Sequence, residues 1–325
     1  MKLLLIISQF SPAQTPNTMR WIPLLRFFQD QGHDVYVLTT KRSGQPLESV
    51  EDNMAIFRAG YNTLLDFCFD LTKRSNRRNE TGNKGYSGTP GLGSVLLEKL
   101  VSKTWRKNYW PDGSKLFLKP GIKKGLEIVE DKQISHIISV GLPFTAHLIA
   151  QKLKEKNAAI NWHMDIQDPF CYSKEFWVNN FKKYSAKNIA AEKAAFHLAD
   201  SISNTNATAD QKYKILFPEA KDKMTIIPPL FALPKSKDNK GLYLFDEKIH
   251  LGYFGSFYDG VRSPKPFLDF LLDLHKVDPT LFDKIQIHFF GQQNRFSAPL
   301  FSAYPTIRRY FILHGYSNDV IAIEY

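Results

Sequence analysis

Two strand–loop–helix openings, one at Lys2 and one at His250, constrain this chain more than any other feature. The second, HLGYFGSFYDGVRSPKPFLDFLLDL, runs from a short apolar strand into Gly255-Ser256. A polar loop carrying Arg262 follows, and Pro264 opens an amphipathic helix. Such a junction suits phosphate, because unpaired backbone N–H groups and the helix dipole favour an anion there. Arg262 adds a planar fork of donors that fits phosphate oxygens. At the first opening, Lys2 to Ser8 reads as a strand buried on both faces and Gln9 to Asn17 as a polar loop with two prolines. Thr18 to Gln31 then shows helical spacing through Met19, Ile22, Leu25 and Phe28, Gly32 closes it, and Val35 to Thr39 is the next strand. Strand, loop, helix and strand make the βαβ unit of a parallel sheet.

A chain of 325 residues is long enough for two such domains, each with its own core. Between the openings, Met54 to Arg58 continues the sheet, and Lys73 to Gly93 is rich in Gly, Asn, Ser and Arg, an irregular insertion centred on about residues 72–93. Helical patterns follow at Val95 to Lys103 and Lys115 to Glu130, then a strand at Ile134 to Val140. Gly141-Leu142-Pro143 leads into a helix at Ala146 to Lys156. A strand at Ile160 to Met164 ends at Asp165, ahead of Asp168-Pro169-Phe170. A helix at Ile189 to Leu198 precedes short strands near Ser201 to Ser203 and Met224 to Ile227. Pro228, Pro229, Pro234 and the polar run Lys235 to Lys240 read as a linker, so the domains are expected at residues 1–240 and 241–325. The second domain continues with strands at Ile285 to Phe290, ending in Gly291, and Phe311 to His314, ending in Gly315.

No segment reaches the roughly 18 apolar residues of a membrane-spanning helix. Leu3 to Ile7 is too short for a signal sequence. Cys68 and Cys171 alone give no disulfide framework, and a reducing, cytoplasmic setting is expected. A net charge of +11 suits nucleic acid, anionic lipid or a phosphorylated small molecule. The densest basic regions are Lys73-Arg74 with Arg77-Arg78, and Lys103 to Lys124 with Trp105, Tyr109 and Trp110. A solvated face or loop is the plain reading of each. No nucleic-acid-binding module accompanies them, so no nucleic-acid partner is expected. The inner face of an anionic membrane is the expected destination of the excess charge.

In open α/β sheets ligands sit beyond the carboxyl ends of the strands. That rule selects the loops Gln9 to Arg20, Gly141 to His147, Asp165 to Phe170, Gly255 to Lys265 and Gly291 to Arg295, which a cleft between two sheets would gather. The segments LLLIISQFSPAQTPNTMRWIPLLRFFQDQGHDVYVLTT, ISVGLPFTAHLIAQKL, NWHMDIQDPF, AAEKAAFHLADSISNTN, KMTIIPP and IHLGYFGSFYDGVRSPKPFLDFL follow one another in this order. Together they resemble the GT-B glycosyltransferases, in particular the family 4, glycogen-synthase-like group. The resemblance implies an α/β chain of two Rossmann-like domains facing a cleft. It implies transfer of a sugar from a nucleotide-diphosphate donor to a glycan or lipid-linked acceptor, with retention, in surface polysaccharide or glycoconjugate synthesis. No metal and no cofactor are expected.

Residue by residue, the resemblance implies donor binding by Asn17, Thr18, Arg20, Gly255, Ser256, Arg262 and Gly291. It implies catalytic roles for Asp168, Arg262 and Lys265, and acceptor-side roles for His147, His163 and Asp168. The chain departs from the family in three places. Thr15-Pro16-Asn17-Thr18 replaces a glycine-rich loop, and Gln167 replaces the Arg of the R-D-P-W motif. No E-x7-E pair follows the last strand, since Glu324 is isolated, and the second domain is expected to be incomplete. Several plain readings stay open. They are a helix-start Arg20 paired with a neighbouring carboxylate, an Asp168 that caps a turn, a solvated first-turn Lys265 and a structural His163. Two other functions remain as alternatives: a truncated, non-catalytic remnant that only binds, and a nucleotide-sugar epimerase.

Overall fold

The run Leu3 to Ile7 has no polar alternation, and such a strand is stable only where both of its faces are covered. It lies near the middle of an eight-stranded sheet, with Leu3 to Ile7 at most 1% exposed. The computed structural model describes residues 1–13, 15–42, 44–64, 66–67, 104–105, 107–172, 178–229, 247–258, 260, 262–291, 294 and 296–315. Outside the described residues lie the insertion at 72–93, the helix at 95–103, the linker at 235–240, Cys68, Arg295 and Glu324. The chain divides into two units, Met1–Phe231 and Ala232–Tyr325.

In the first unit the elements run β1 (Lys2–Ile7), α1 (Pro16–Asp30), β2 (Asp34–Lys41), β3 (Glu48–Glu51), β4 (Met54–Tyr61), α2 (Lys115–Lys132), β5 (His136–Gly141), α3 (Thr145–Lys156) and β6 (Asn161–Ile166). They continue with α4 (Phe181–Leu198), β7 (Ser201–Asn204), α5 (Ala207–Leu216) and β8 (Met224–Ile226). Strand order is β3-β4-β2-β1-β5-β6-β7-β8, parallel throughout except for β3 against β4. On one face α1 buries Trp21 and Leu25 against Leu3, Leu5 and Ile138. On the other, Phe117, Ile149, Leu153 and Phe196 pack with Trp162 and Met164.

Three local features differ from the sequence reading. The strand β3 was not expected. Its hairpin turns on Asp52 and Asn53, at φ 48° and 59°, the two positive values of a type I′ turn. The helix α5 also went unseen, although Asn206 caps it by accepting from the Ala209 N–H. Helix α4 starts at Phe181 rather than Ile189, capped by Asn180, whose side chain accepts from the Lys183 N–H. Its first turns are polar because they carry a surface segment rather than the core.

The second unit is smaller: β9 (Ile249–Phe254), α6 (Lys265–Val277), β10 (Ile285–Phe290), α7 (Ser297–Ser302) and β11 (Phe311–Gly315). Its three described strands are parallel in the order β11-β10-β9. Leu268 and Leu271 of α6 reach Ile287, Phe289, Phe301 and Phe311, and each buried leucine contributes roughly 2 kcal/mol. Apart from β3, both units are built of parallel strands with helices packed on them, as the two βα openings imply.

Candidate functional site

Every parallel strand of the first unit delivers a loop to the same edge of its sheet, and there the predicted residues of this unit are found. Helix α1 starts at this edge. Thr15 accepts from the Thr18 N–H at 3.2 Å, and Pro16 loses nothing at a position whose N–H is unpaired. The Thr18 hydroxyl donates to the Gln9 carbonyl at 3.1 Å, and the Asn17 amide donates to the Leu142 carbonyl at 3.2 Å. Both side chains therefore tie the first loop down, the second of them to the loop after β5.

Arg20 and Asp165 form the buried centre of this edge. One guanidinium nitrogen of Arg20 donates to both Asp165 oxygens, at 3.0 and 2.8 Å, and another to the Ile227 carbonyl at 3.2 Å. Asp165 also accepts from the Trp21 indole at 3.0 Å, the Gln167 amide at 2.7 Å and the Ser203 hydroxyl at 2.6 Å. A buried charge is tolerated only when paired and hydrogen-bonded in this way. Arg20 is 2% exposed, so the pairing reading prevails over a direct donor contact. Its guanidinium holds the end of β6 instead of meeting a ligand.

That end of β6 sets the position of Asp168. The Gln167 N–H donates to the Gly141 carbonyl, the Thr205 hydroxyl donates to the Gln167 carbonyl, and the Phe170 ring stacks on Phe144 at 4.1 Å. Gln167, standing where the motif has Arg, is thus a brace. Asp168 follows it, solvent-exposed, and accepts no hydrogen bond from the described residues. Partial burial raises its carboxyl from the ordinary aspartate value.

The two histidines are turned inward. His147, 2% exposed in the first turn of α3, shares a 2.7 Å hydrogen bond with Ser139. Burial lowers its pKa to about 3. Its Nε2 packs so closely under Gly141 that a Cβ there would overlap it. His163 places one ring nitrogen on Ser201, at 2.8 Å, and the other on Ser203, at 2.9 Å. Burial, with the Arg20 charge, lowers its pKa against the pull of Asp165. His163 thus has both ring nitrogens engaged, and His147 has one, on Ser139. Asp112 escaped the sequence reading altogether. It is 3% exposed and accepts from both the N–H and the hydroxyl of Thr145, at 2.9 and 2.8 Å, and from the Ser114 N–H. It fills the N-terminal anion position of α3, and only the turn-like Trp-Pro-Asp-Gly-Ser run hinted at it.

In the second unit, Gly255 and Gly291 sit at the ends of neighbouring strands. Gly255 donates to the Phe290 carbonyl at 2.8 Å and Gly291 to the Gly315 carbonyl at 2.6 Å. Gly291 has φ +156°, and a Cβ on it would strike the Gly255 carbonyl, so only glycine lets these strand ends close up. Arg262 is exposed and held by a pair of 3.0 Å backbone hydrogen bonds with Tyr258. One of its guanidinium nitrogens lies 3.7 Å from the point where a Cβ of Gly255 would stand. Among the described residues it makes no ion pair. Arg262 and Ser263 line a cavity of about 380 Å³ with Leu251, Tyr253, Phe257 and Phe267. Ser256 is half-buried beside it. Lys265 instead pairs with Asp269 at 2.6 Å on the exposed first turn of α6, and Asp269 accepts from the Tyr304 hydroxyl. Among the described residues no cluster of three His, Cys, Asp or Glu is placed to hold a metal ion.

These two units define a fold class, the GT-B fold. The chain shares it with sucrose-phosphate synthase from Thermosynechococcus elongatus at 10% identity, covering 100% of this chain and 72% of that one, with a TM-score of 0.57. It is likewise similar to the catalytic domain of starch synthase IV from Arabidopsis thaliana bound to ADP and acarbose, at 10% identity, 99% and 75% coverage and a TM-score of 0.55. A putative UDP-N-acetylglucosamine 2-epimerase from Listeria monocytogenes matches at 9% identity, 99% and 70% coverage and a TM-score of 0.51. Neither the models of protein families nor the curated protein sequences contain a match to this chain.

Proposed function

We propose that the chain is a glycosyltransferase that takes a nucleotide-diphosphate sugar on its second unit and passes the sugar to a glycan or lipid-linked acceptor. One observation carries the reading. Arg262 is a solvent-facing guanidinium with no carboxylate partner among the described residues, set beside Gly255 at a strand end. Backbone approach at Gly255, Ser256 and Gly291 and a preplaced cation are what a diphosphate leaving group needs, since the charge it gains is stabilised without reorganisation. The similarity to a starch synthase bound to ADP supports this assignment. In the first unit Asp168 is the acceptor-side group, able to accept from sugar hydroxyls. Arg20, Asp165 and Gln167 position it, and Asn17 and Thr18 hold the adjoining loop. Lys265 serves the diphosphate only by leaving Asp269. Retention of configuration, action without a metal, and work on surface glycans at the inner face of a membrane belong to the same proposal.

Calorimetry with UDP, ADP, GDP and TDP, followed by transfer assays with the matching sugars, tests it. Arg262→Ala is expected to weaken nucleotide binding at least tenfold, the loss of one charge-assisted contact. Unchanged binding removes Arg262 from the site. Similarity to an epimerase favours a second reading. An epimerase would convert its nucleotide sugar with no acceptor present, which NMR of the sugar nucleotide alone decides. Nucleotide binding without either conversion would identify a non-catalytic binder.

A further inference from the structure

The second unit contains a chain of histidines that its candidate site does not use. Residues alternate faces along a strand. Tyr253, Ile287, Phe289 and Leu313 belong to the core under α6, so His250, His288 and His314 stand on the opposite face of the sheet. Nδ1 of His250 lies 2.8 Å from Nε2 of His288, and Nδ1 of His288 lies 2.8 Å from Nε2 of His314. On β9 the residue in register with His288 is Gly252. Having no side chain, it leaves room for His250 to reach across. The next step is diagonal too, since Ile312 is in register with His288 and His314 lies two positions further on. The chain therefore climbs one side-chain step per strand, toward the carboxyl edge. There the His314 ring stacks on Phe290 at 4.1 Å, and Phe290 stacks on Phe254 at 4.6 Å. These three rings immediately precede Gly315, Gly291 and Gly255, whose backbone hydrogen bonds close the strand ends.

Such a chain holds a limited number of protons. Each nitrogen-to-nitrogen contact needs one proton, because one ring must donate and its neighbour accept. Three neutral rings supply one proton to each contact and one to an outer nitrogen. A fourth proton fills the other outer nitrogen and keeps both contacts. A fifth has no place except inside a contact, where two N–H groups then oppose each other. Three separated rings accept all the protons that acid offers, so acid favours the opened chain by two protons over the intact one. The other described residues on this face, Gly252, Phe254, Gln286, Phe290 and Ile312, carry no ionisable group. Glu247, Lys248, Lys284, Arg308 and Arg309 precede the strands at the amino edge, and Arg262 lies beyond Gly255 at the other. Across the sheet, α6 pairs Lys265 with Asp269 and Asp273 with Lys276, and lays His275 against Phe282. Burial lowers the pKa of His314 from the ordinary 6.5. A ring that refuses a proton when folded favours closure at high pH, and that preference is lost as pH falls through 6.5. We propose that the His250–His288–His314 chain is a proton-operated latch on the strand ends of the candidate donor site. Near neutrality it is intact and holds Gly255 and Gly291 in place; acid opens it and weakens nucleotide binding. This rests on the donor-site reading given above.

The ring nitrogens of the full chain, without nucleotide, are followed by NMR from about pH 8 to about pH 5. One proton is expected to enter first, and the later ones together, with faster hydrogen exchange at Gly255 and Gly291 after correction for the intrinsic rate. Three independent titrations near the ordinary histidine value, with exchange unchanged, would overturn the latch. Calorimetry with UDP and with ADP at about pH 7.5 and about pH 5.5 then reads the coupling. Affinity is expected to fall at least about tenfold, the loss produced when the closed form drops to about a tenth of the molecules. The variant His288→Gln has no contact between histidines and is expected to lose less than about threefold over the same range. The double variant His250→Gln/His314→Gln, altered at less buried positions, serves where the first does not fold and is expected to behave alike. The nucleotide's own titration is common to all three proteins and cancels. Equal losses in the unaltered protein and the variants overturn the coupling. If neither nucleotide binds at either pH, the donor-site reading falls, and ring titration with hydrogen exchange still decides the latch.

Discussion

Acidification should weaken the first unit through His147, by an amount the structure fixes. The ring is 2% exposed, and burial lowers its pKa from the ordinary 6.5 to about 3. Between those values the unfolded chain holds a proton that the folded chain refuses, so stability falls as pH falls. The full contribution is present above pH 6.5, and the loss begins as pH drops through that value. One displaced proton costs about 1.4 kcal/mol per pH unit, so the step from pH 7 to pH 5 costs about 2 kcal/mol. All five tryptophans, Trp21, Trp105, Trp110, Trp162 and Trp177, precede Ala232. Urea unfolding followed by tryptophan fluorescence therefore reads the first unit alone. Trp162 donates to Ser139, the partner of His147, at 2.8 Å, so the probe is next to the group being tested. The comparison is with His147→Gln, which keeps a polar group but cannot titrate. His163 and every carboxylate are common to both proteins, and their pH dependence cancels in the difference. The difference in stability between the two proteins should narrow by about 2 kcal/mol from pH 7 to pH 5. Curves that stay parallel within about 0.5 kcal/mol would refute the assignment of a buried neutral imidazole.

Arg20→Ala leaves Asp165 buried with only Trp21, Gln167 and Ser203 as partners. It should cost about 3–5 kcal/mol by urea unfolding. Asp112→Ala removes the cap of α3 and should cost at least about 1–2 kcal/mol, read by the same fluorescence transition. Gly291→Ala drives a methyl group into the Gly255 carbonyl. It should speed hydrogen exchange across β9 to β11 and abolish nucleotide binding while leaving the tryptophan transition unchanged.

The fold was largely legible because its signals are local. The unbroken apolar run at Leu3 and the largely apolar segments at Ile137 and Ile287 mark buried strands, and their spacing with helices dictates parallel pairing. What escaped were elements defined by their caps and turns rather than by apolar spacing. The Asp52-Asn53 hairpin, α5 behind Asn206, and the polar first turns of α4 are all of this kind. The site was legible in residue type but not in burial. Arg20 and His163 are consumed by partners on strands remote in sequence, whereas His147 is held by Ser139, eight positions before it. Asp165 lies 145 positions from Arg20, and Ser203 lies 40 from His163. No local pattern reports such a partner, so a motif names the edge and leaves open which side chains face outward.

Which cations are consumed is therefore the sharper guide to function than where cations occur. Arg20 and Arg58 are both about as buried as a leucine core, and each is matched by a carboxylate, Asp165 and Glu51. Their energy goes into fixing loops, since removing a buried charge from its partner costs more than any exposed contact returns. Arg262 shows the opposite pattern: a rigid backbone bridge holds it, and no described carboxylate neutralises it. A fixed, unneutralised guanidinium gains little for folding, because an exposed charge is already solvated. Its value appears only when an anion arrives and displaces that water. The same reasoning separates Lys265, compensated by Asp269, from Lys107, Lys183 and Lys187, which are not. The proposed donor site thus rests on one criterion, charge that the fold positions but does not spend.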